Sequence, residues 1–356
     1  MAEKYDVIVV GAGPAGSLAS LILARGGKRV LLVDKASFPR HKVCGDCLNP
    51  RVWDLWKSYD LIDSFKALPQ QRIEGVRIEH DQETLLRRNF ESLKQPFISV
   101  DREIFDTWLV QEAIKSGVDF LHETRVQTVH FSGKVETSVG DFQADWILGA
   151  DGRNSVVARN AGLMAPLENC RRVGWQAHLE LENLDSDLHL RFFSEGYSGL
   201  SLINDKKANL WMVLDSKVSG IPQKIANRYF PNLPALVWHS ITPITRKPSA
   251  LGKETIWLIG DAARVVEPFT GEGIYFALLS AEIAAKSILK VKRVEERAGA
   301  LLDYQREHEL LCHSQIQLGM VLRWLLRSPE RAYRWIPWIR YFPGPVSRMI
   351  NRLIGM

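Results

Sequence analysis

Gly11, Gly13 and Gly16 stand in the spacing G-x-G-x-x-G, after the apolar run Tyr5 to Val10 and at the head of the Ala- and Leu-rich stretch Pro14 to Arg25. The chemistry this spacing serves is the holding of a dinucleotide. The first glycine allows a tight turn, the second lets bare backbone approach a pyrophosphate, and the third lets helix and strand pack closely. The helix N-terminus then faces the phosphate charge, with Pro14 and Ala15 completing the turn. At the end of the next apolar run Asp34 is placed to bond ribose hydroxyls, with Lys35 beside it. A tight turn without a ligand uses the same glycines. A strand before them, a helix after them and an acidic residue at the next strand end favour the dinucleotide.

The glycine motif does not separate FAD from NAD, and two later stretches bear on that choice. In "GADGRNS", Asp151 and Gly152 end a strand, and in "IGDAARVVEPFTGEGIYFALLSA", Gly260 and Asp261 end another, placing Asp261 for the ribityl chain of a flavin. The order G-x-G-x-x-G, acidic strand end, D-G, then G-D with P-x-x-G-x-G resembles the geranylgeranyl reductase-like and aromatic-ring hydroxylase superfamily of flavin monooxygenases. The likeness runs to about residue 290. It implies FAD as cofactor and Pro268, Gly271 and Gly273 lining its isoalloxazine, where glycine admits backbone amides and a helix start adds a positive dipole. Arg102 in "VDREIFDTWL" and Val126 after "HETR" match two further cofactor positions of the family, the alternative for Arg102 being a pair with a neighbouring carboxylate. Lys42, Cys44 and Gly45 in "FPRHKVCGDCLNP" match K-x-C-G, which is closer to the geranylgeranyl reductase-like proteins than to the hydroxylases.

Cys44 and Glu267 are the candidate catalytic side chains by position, and the flavin itself carries most of the chemistry. Cys44 and Cys47 form C-x-x-C, readable as a redox disulfide or, preferably, as two unpaired thiols in a cofactor loop. "GYSGLSLINDKKANLWM" replaces the aromatic W-x-F-P run of the reductases, and Arg264 stands where relatives often have Gly or His. "RWIPWIRYF" lies too far along the chain to be the halogenase W-x-W-x-I-P motif. The reading is therefore an FAD-dependent oxidoreductase of the monooxygenase type acting on a lipophilic or aromatic small molecule. Reduction of C=C bonds is the alternative, and a non-catalytic flavin-binding electron carrier at a membrane is the second. No second G-x-G-x-x-G follows a strand, so NAD(P)H is expected as a transient reductant. The nine histidines lack ligand spacing and no G-x-S-x-G is present, which leaves no metal site and no serine chemistry.

Positioning these residues calls for an α/β fold: a Rossmann-like FAD-binding domain of the glutathione-reductase type, with an inserted antiparallel β-sheet substrate domain and a C-terminal helical segment. The expected boundaries are 1–169 for the first part of the FAD-binding domain, 170–250 for the substrate sheet, 251–290 for the returning part and 291–356 for the helical segment. "IEGVRIEHDQETLLRRNF" alternates as an antiparallel strand pair, Asp101 N-caps a helix to Lys115, and Val118 to Gly140 reads as a small meander.

Four scattered cysteines do not make a disulfide scaffold, the N-terminus lacks a signal-peptide pattern, and no uncharged apolar stretch spans a bilayer. The expected compartment is the cytoplasm, with membrane association at its face as an option. From Lys286 onward there are 13 Lys and Arg against 6 Asp and Glu, so the net charge of +5 belongs to the tail. No nucleic-acid-binding module accompanies it. Past Met320, Trp324, Tyr333, Trp335, Trp338, Tyr341 and Phe342 interleave with Arg323, Arg327, Arg331, Arg334, Arg340, Arg348 and Arg352, against Glu330 alone. That pattern fits a membrane interface and a helical cap packed on the substrate domain equally well.

Overall fold

The computed structural model describes residues 3–354 apart from 165, 167–171, 182, 219, 221, 243–245, 247–249, 266–271 and 327; it gives 312–326, 329, 345, 349, 350 and 352–354 by backbone alone. The first strand, Glu3–Val10, is the centre of a parallel sheet because its last four residues are apolar and buried on both faces. It pairs in parallel with Gly140–Gly149 on one side and Val30–Val33 on the other. Ile256–Leu258 extends the sheet beyond Gly149, and Asp119–Leu121 extends it beyond Val33. Asp119–Leu121 thus leaves the expected meander, which consists only of Val126–Val129, Lys134–Thr137 and the start of the long strand.

Three helices cover this sheet. Pro14–Arg25 carries Pro at its first position, where a missing N–H costs nothing, and buries Leu18, Leu21 and Leu23. Arg102–Lys115 is capped by the Asp101 carboxylate, which accepts from the Glu103 N–H at 2.9 Å. Gly273–Lys290 packs on the first helix and stops at Val291, whose extended backbone breaks the helical run.

The second sheet runs in the order 239–241, 172–180, 207–215, 196–202, 187–193, 75–80, 83–89. Its last two strands are the "IEGVRIEHDQETLLRRNF" hairpin, which falls inside the range expected for the FAD-binding part. The hairpin joins because Gly75–His80 pairs in parallel with Asp187–Phe193. Period-two alternation gives this sheet two apolar faces. Leu210, Met212 and Leu214 pack under the helix Pro222–Tyr229, while Trp211 and Val213 face the other way with Ile78, Phe192 and Tyr197. Cys47–Leu48, Phe97–Ser99 and Gln71–Ile73 form a small third sheet beside it. After the helix Arg297–Leu326, the tail forms Pro329–Trp335, a short 3-10 turn over Ile336–Arg340 and Pro343–Ile354.

Candidate cofactor and substrate site

A cavity of about 490 Å³ opens between the ends of the parallel strands and the edge of the second sheet. Ligand sites in open α/β sheets sit beyond the strand C-termini, where successive loops diverge. Here those loops are 11–16 after the first strand, 150–156 after Gly149 and 260–262 after Leu258.

The three glycines of the first loop have three different constraints. Gly11 has φ +102°, and a Cβ on it would lie 2.5 Å from the Ala150 carbonyl oxygen, so neither the turn nor the approach of the two strand ends admits a side chain. Gly16 would place a Cβ 1.8 Å from the Gly11 carbonyl oxygen, which is the close helix-strand contact. Gly13 is open: its Cβ would meet only the Arg40 guanidinium, at 3.6 Å. Asp34 ties the loop down, accepting from the Ala12 N–H at 2.7 Å and from the Ala36 N–H at 2.9 Å.

Gly11, Gly13, Pro14, Ala15, Asp34, Lys35, Lys42, Cys44, Gly45, Arg102, Val126, Asp151, Gly152, Gly260, Asp261 and Gly273 all line this one cavity. Gly16 lies behind it and serves packing. Glu267, Pro268 and Gly271 fall outside the described residues.

The cavity's features fit FAD. Gly13, the N-cap residue of the helix Pro14–Arg25, provides no side-chain cap, and it lines the cavity with Pro14 and Ala15, so the first free N–H groups are left for a ligand. A Cβ at Gly152 or Gly273 would meet nothing within 4 Å, leaving bare backbone at two further stretches of the wall. Asp151 is held by the Val156 N–H at 2.6 Å, and burial raises its carboxyl above the usual range. Asp261 pairs with Arg153 at 2.8 Å.

Arg102 takes the carboxylate pair, and it also lines the cavity. Its guanidinium forms a two-point pair with Asp106 at 2.8 and 2.9 Å, Arg40 approaches the same carboxylate at 3.1 Å, and Arg102 also reaches the Cys44 thiol. Burial raises both the Cys44 and Cys47 thiols, so neither is a thiolate at neutral pH. Cys47 donates to the Gly45 carbonyl at 3.2 Å, and both cysteines are free. A dithiol of this kind lacks the activated sulfur that disulfide exchange needs. Lys42, largely buried, is pushed down to about 8 by burial and then by the Arg153 charge.

Several residues here carry no sequence signal of their own. Gln176 accepts from the Cys44 N–H at 3.1 Å and donates to the Asn209 side chain at 3.1 Å, and Asn209 donates to the Cys44 carbonyl at 3.0 Å. His178 meets the wholly buried Asp46 carboxylate at 3.0 Å. This polar patch clamps the 42–47 loop to the second sheet. Burial raises Asp46 to about 6. His41, which lines the cavity, has its ring 4.0 Å from that of His239 and is pushed down to about 4, first by burial, so it is a neutral imidazole. Polar residues at every second strand position read as solvent-facing, which hid Gln176, His178 and Asn209. The apolar wall is made by Trp175, Leu188, Trp211, Met212, Val213 and Ile241. The indole N–H groups of Trp175 and Trp211 are buried without a hydrogen-bond partner among the described residues.

The sequence matches the FAD binding domain family over residues 4–189, more than half of its 356 residues. It is similar to digeranylgeranylglycerophospholipid reductase 2 of Methanopyrus kandleri, 27% identical over 321 residues covering 80% of this chain and 78% of that one. It is also similar to the geranylgeranyl diphosphate reductase of Rhodobacter capsulatus, 29% identical over 348 residues covering 86% and 81%. Among solved structures, Pseudomonas aeruginosa PqsL in complex with 2-aminobenzoylacetate superposes with a TM-score of 0.80 at 19% identity, covering 93% of this chain and 99% of that one. The myxobacterial chondrochloren halogenase CndH superposes with a TM-score of 0.77 at 20% identity, covering 99% and 96%. These last two establish the shared fold. Gly11 to Gly16, Asp34, Arg102, Val126 and Asp151 all fall inside the matched range, and the chain belongs to the FAD-binding domain family and is an FAD-dependent oxidoreductase.

Proposed function

We propose that the cavity seats FAD along the 11–16, 150–153 and 260–261 loops, and that the enzyme oxygenates a lipophilic or aromatic small molecule held against the second sheet. The observation that supports this is one cavity lined both by bare glycine backbone and by the apolar side chains of the second sheet, Trp175 and Trp211 among them. Bound FAD supplies two-electron redox chemistry that no side chain here possesses.

The chain's own residues bind and orient. The uncapped amides of Gly13 and Ala15 take the pyrophosphate, and Asp34 takes ribose hydroxyls with the lone pairs left after holding Ala12 and Ala36. The helix beginning at Gly273 brings a positive end to the cavity, worth about 0.3–1 kcal/mol toward negative charge developing there. Lys42 adds a cation whose value near 8 lets it hold or release a proton at Nζ close to neutral pH. Neutral His41 accepts a hydrogen bond. Trp175 and Trp211 exclude water with their rings. NAD(P)H is the reductant in this proposal, binding transiently.

A second reading, delivery of hydride to a C=C bond, is favoured by the Lys42-x-Cys44-Gly45 loop on the cavity wall and by the reductase names of the sequence relatives. Mass spectrometry of products from aerobic turnover with NADPH decides between them, across a panel of alkylated aromatic compounds and polyprenyl lipids. Added oxygen supports the first reading and added hydrogen the second. A protein that purifies with flavin and oxidises NADPH without altering any member of the panel contradicts both substrate assignments. Contact with a membrane, through the C-terminal segment, is part of the same proposal, because a lipophilic substrate resides there.

A further inference from the structure

The tail segment 329–342 buries one set of apolar side chains and exposes another. Ala332 and Ile336 are 2% and 4% exposed, packed into the cluster of Ile78, Leu190, Phe192 and Trp211, with Ile339 packed against its edge. Beside them a row of aromatics stays exposed. Trp335 is 48% exposed, Trp338 53%, Tyr341 66% and Phe342 60%, with the Trp338 and Tyr341 rings 5.8 Å apart. A cap that merely closed the substrate sheet would turn its rings inward and its arginines outward. Here both kinds of side chain are exposed: Arg331 and Arg334 within the segment and Arg348 in the helix after it, while Arg340 pairs with Glu83. Glu330 is the sole acid from Pro329 to Met356.

We infer that Trp335, Trp338, Tyr341 and Phe342, with the arginines around them, form a rigid platform that docks the enzyme on an anionic lipid bilayer. This rests on the lipophilic-substrate reading above. Rings held at the depth of the headgroups, with guanidiniums reaching the phosphates, are what an interfacial surface requires. No helix among the described residues is long and apolar enough to cross a membrane, so the contact is peripheral. Position also favours lipid over a protein partner. The apolar cluster that anchors Ala332 and Ile336 contains Trp211 and borders Leu188, both of which line the cavity. Platform and substrate wall are therefore two sides of one layer of side chains.

The test is flotation of the flavin-loaded protein with phosphatidylcholine vesicles, with and without phosphatidylglycerol, for the wild type and for Trp338→Ser/Phe342→Ser. Bound flavin per chain and sedimentation are recorded for both proteins. The wild type should float with the anionic vesicles and be released by high salt. The double variant should keep its flavin and lose at least about tenfold in vesicle partitioning, since two exposed rings no longer insert. Equal flotation of the two proteins, or none by either while both carry flavin, overturns the platform and leaves the flavoenzyme reading intact. A dimer that the variant abolishes, without vesicle binding by the wild type, also overturns it by naming a second copy as the occupant. A wild type without flavin defeats the function proposed above, whatever the vesicles show.

Discussion

Gly13 and Gly16 share a residue type and differ in what surrounds it. A side chain at Gly13 enters the cavity, whereas one at Gly16 strikes the Gly11 carbonyl. Gly13→Val is therefore expected to change unfolding free energy by less than about 1 kcal/mol while flavin per chain falls at least tenfold; Gly16→Val should cost more than about 3 kcal/mol. Urea titration with a flavin absorbance measurement on each variant checks the pair, and a yellow Gly13→Val protein would count against the pyrophosphate site. Arg102→Ala leaves the buried Asp106 with Arg40 alone and is expected to cost about 3–5 kcal/mol. Asp46 gives a pH signature. Its carboxyl sits at about 6 in the folded protein against an ordinary 3.8, so between those values the folded chain keeps a proton that the unfolded chain has released. Stability from this group then falls as pH rises through the window and levels off above it. The stability of wild type relative to Asp46→Asn should decline from pH about 4 to about 6. Unfolding curves at several pH values check this, and a flat or rising difference would contradict it.

Among the elements, the helix Arg102–Lys115 sets the site most directly, because its first residue is the one that spans Asp106 and Cys44. Asp101 fixes where that helix starts and also pairs with Lys207 at 2.6 Å on the second sheet. Asp101→Ala is expected to cost about 1–2 kcal/mol and to weaken flavin retention through displacement of Arg102. Asp101→Asn, which can still cap, should restore most of the flavin retention, and equal losses in both variants would show that the Lys207 pair carries the effect. This helix was legible in the sequence because cap, apolar spacing and length are local. The helix Pro14–Arg25 was legible for the same reason. Asp119–Leu121 was not: three residues cannot show whether they pair with Val30–Val33 or with the meander, and the choice is made by the crossover helix that delivers them to the sheet edge.

Across the whole molecule, what the sequence left hidden is long-range pairing. The 75–89 hairpin looked like part of the cofactor half because it precedes Asp101, yet it pairs with strand 187–193, about 110 residues later. Nothing local specifies which distant edge a strand will find. The Gln176, Asn209 and His178 patch was hidden likewise, since it forms only when strands 172–180 and 207–215 bring alternating polar residues under the Cys44 loop. The glycines and aspartates of the cofactor end were legible because backbone approach to a ligand restricts residue type at single positions. The substrate end is made of ordinary apolar residues whose convergence no spacing announces. Trp211 lies against Gly199, where a Cβ would come within 2.2 Å of the ring, so Gly199→Ala should displace the indole and alter substrate choice without loss of flavin. Product profiles of the variant and the wild type on one substrate panel check this. The most direct measurement of all is a crystal structure of the purified yellow protein. One FAD is expected in simultaneous contact with residues 11–15, 151–153 and 260–261, its isoalloxazine turned toward Cys44 and Gly273. A flavin bound elsewhere, or a folded protein that purifies colourless and takes up none, would contradict it.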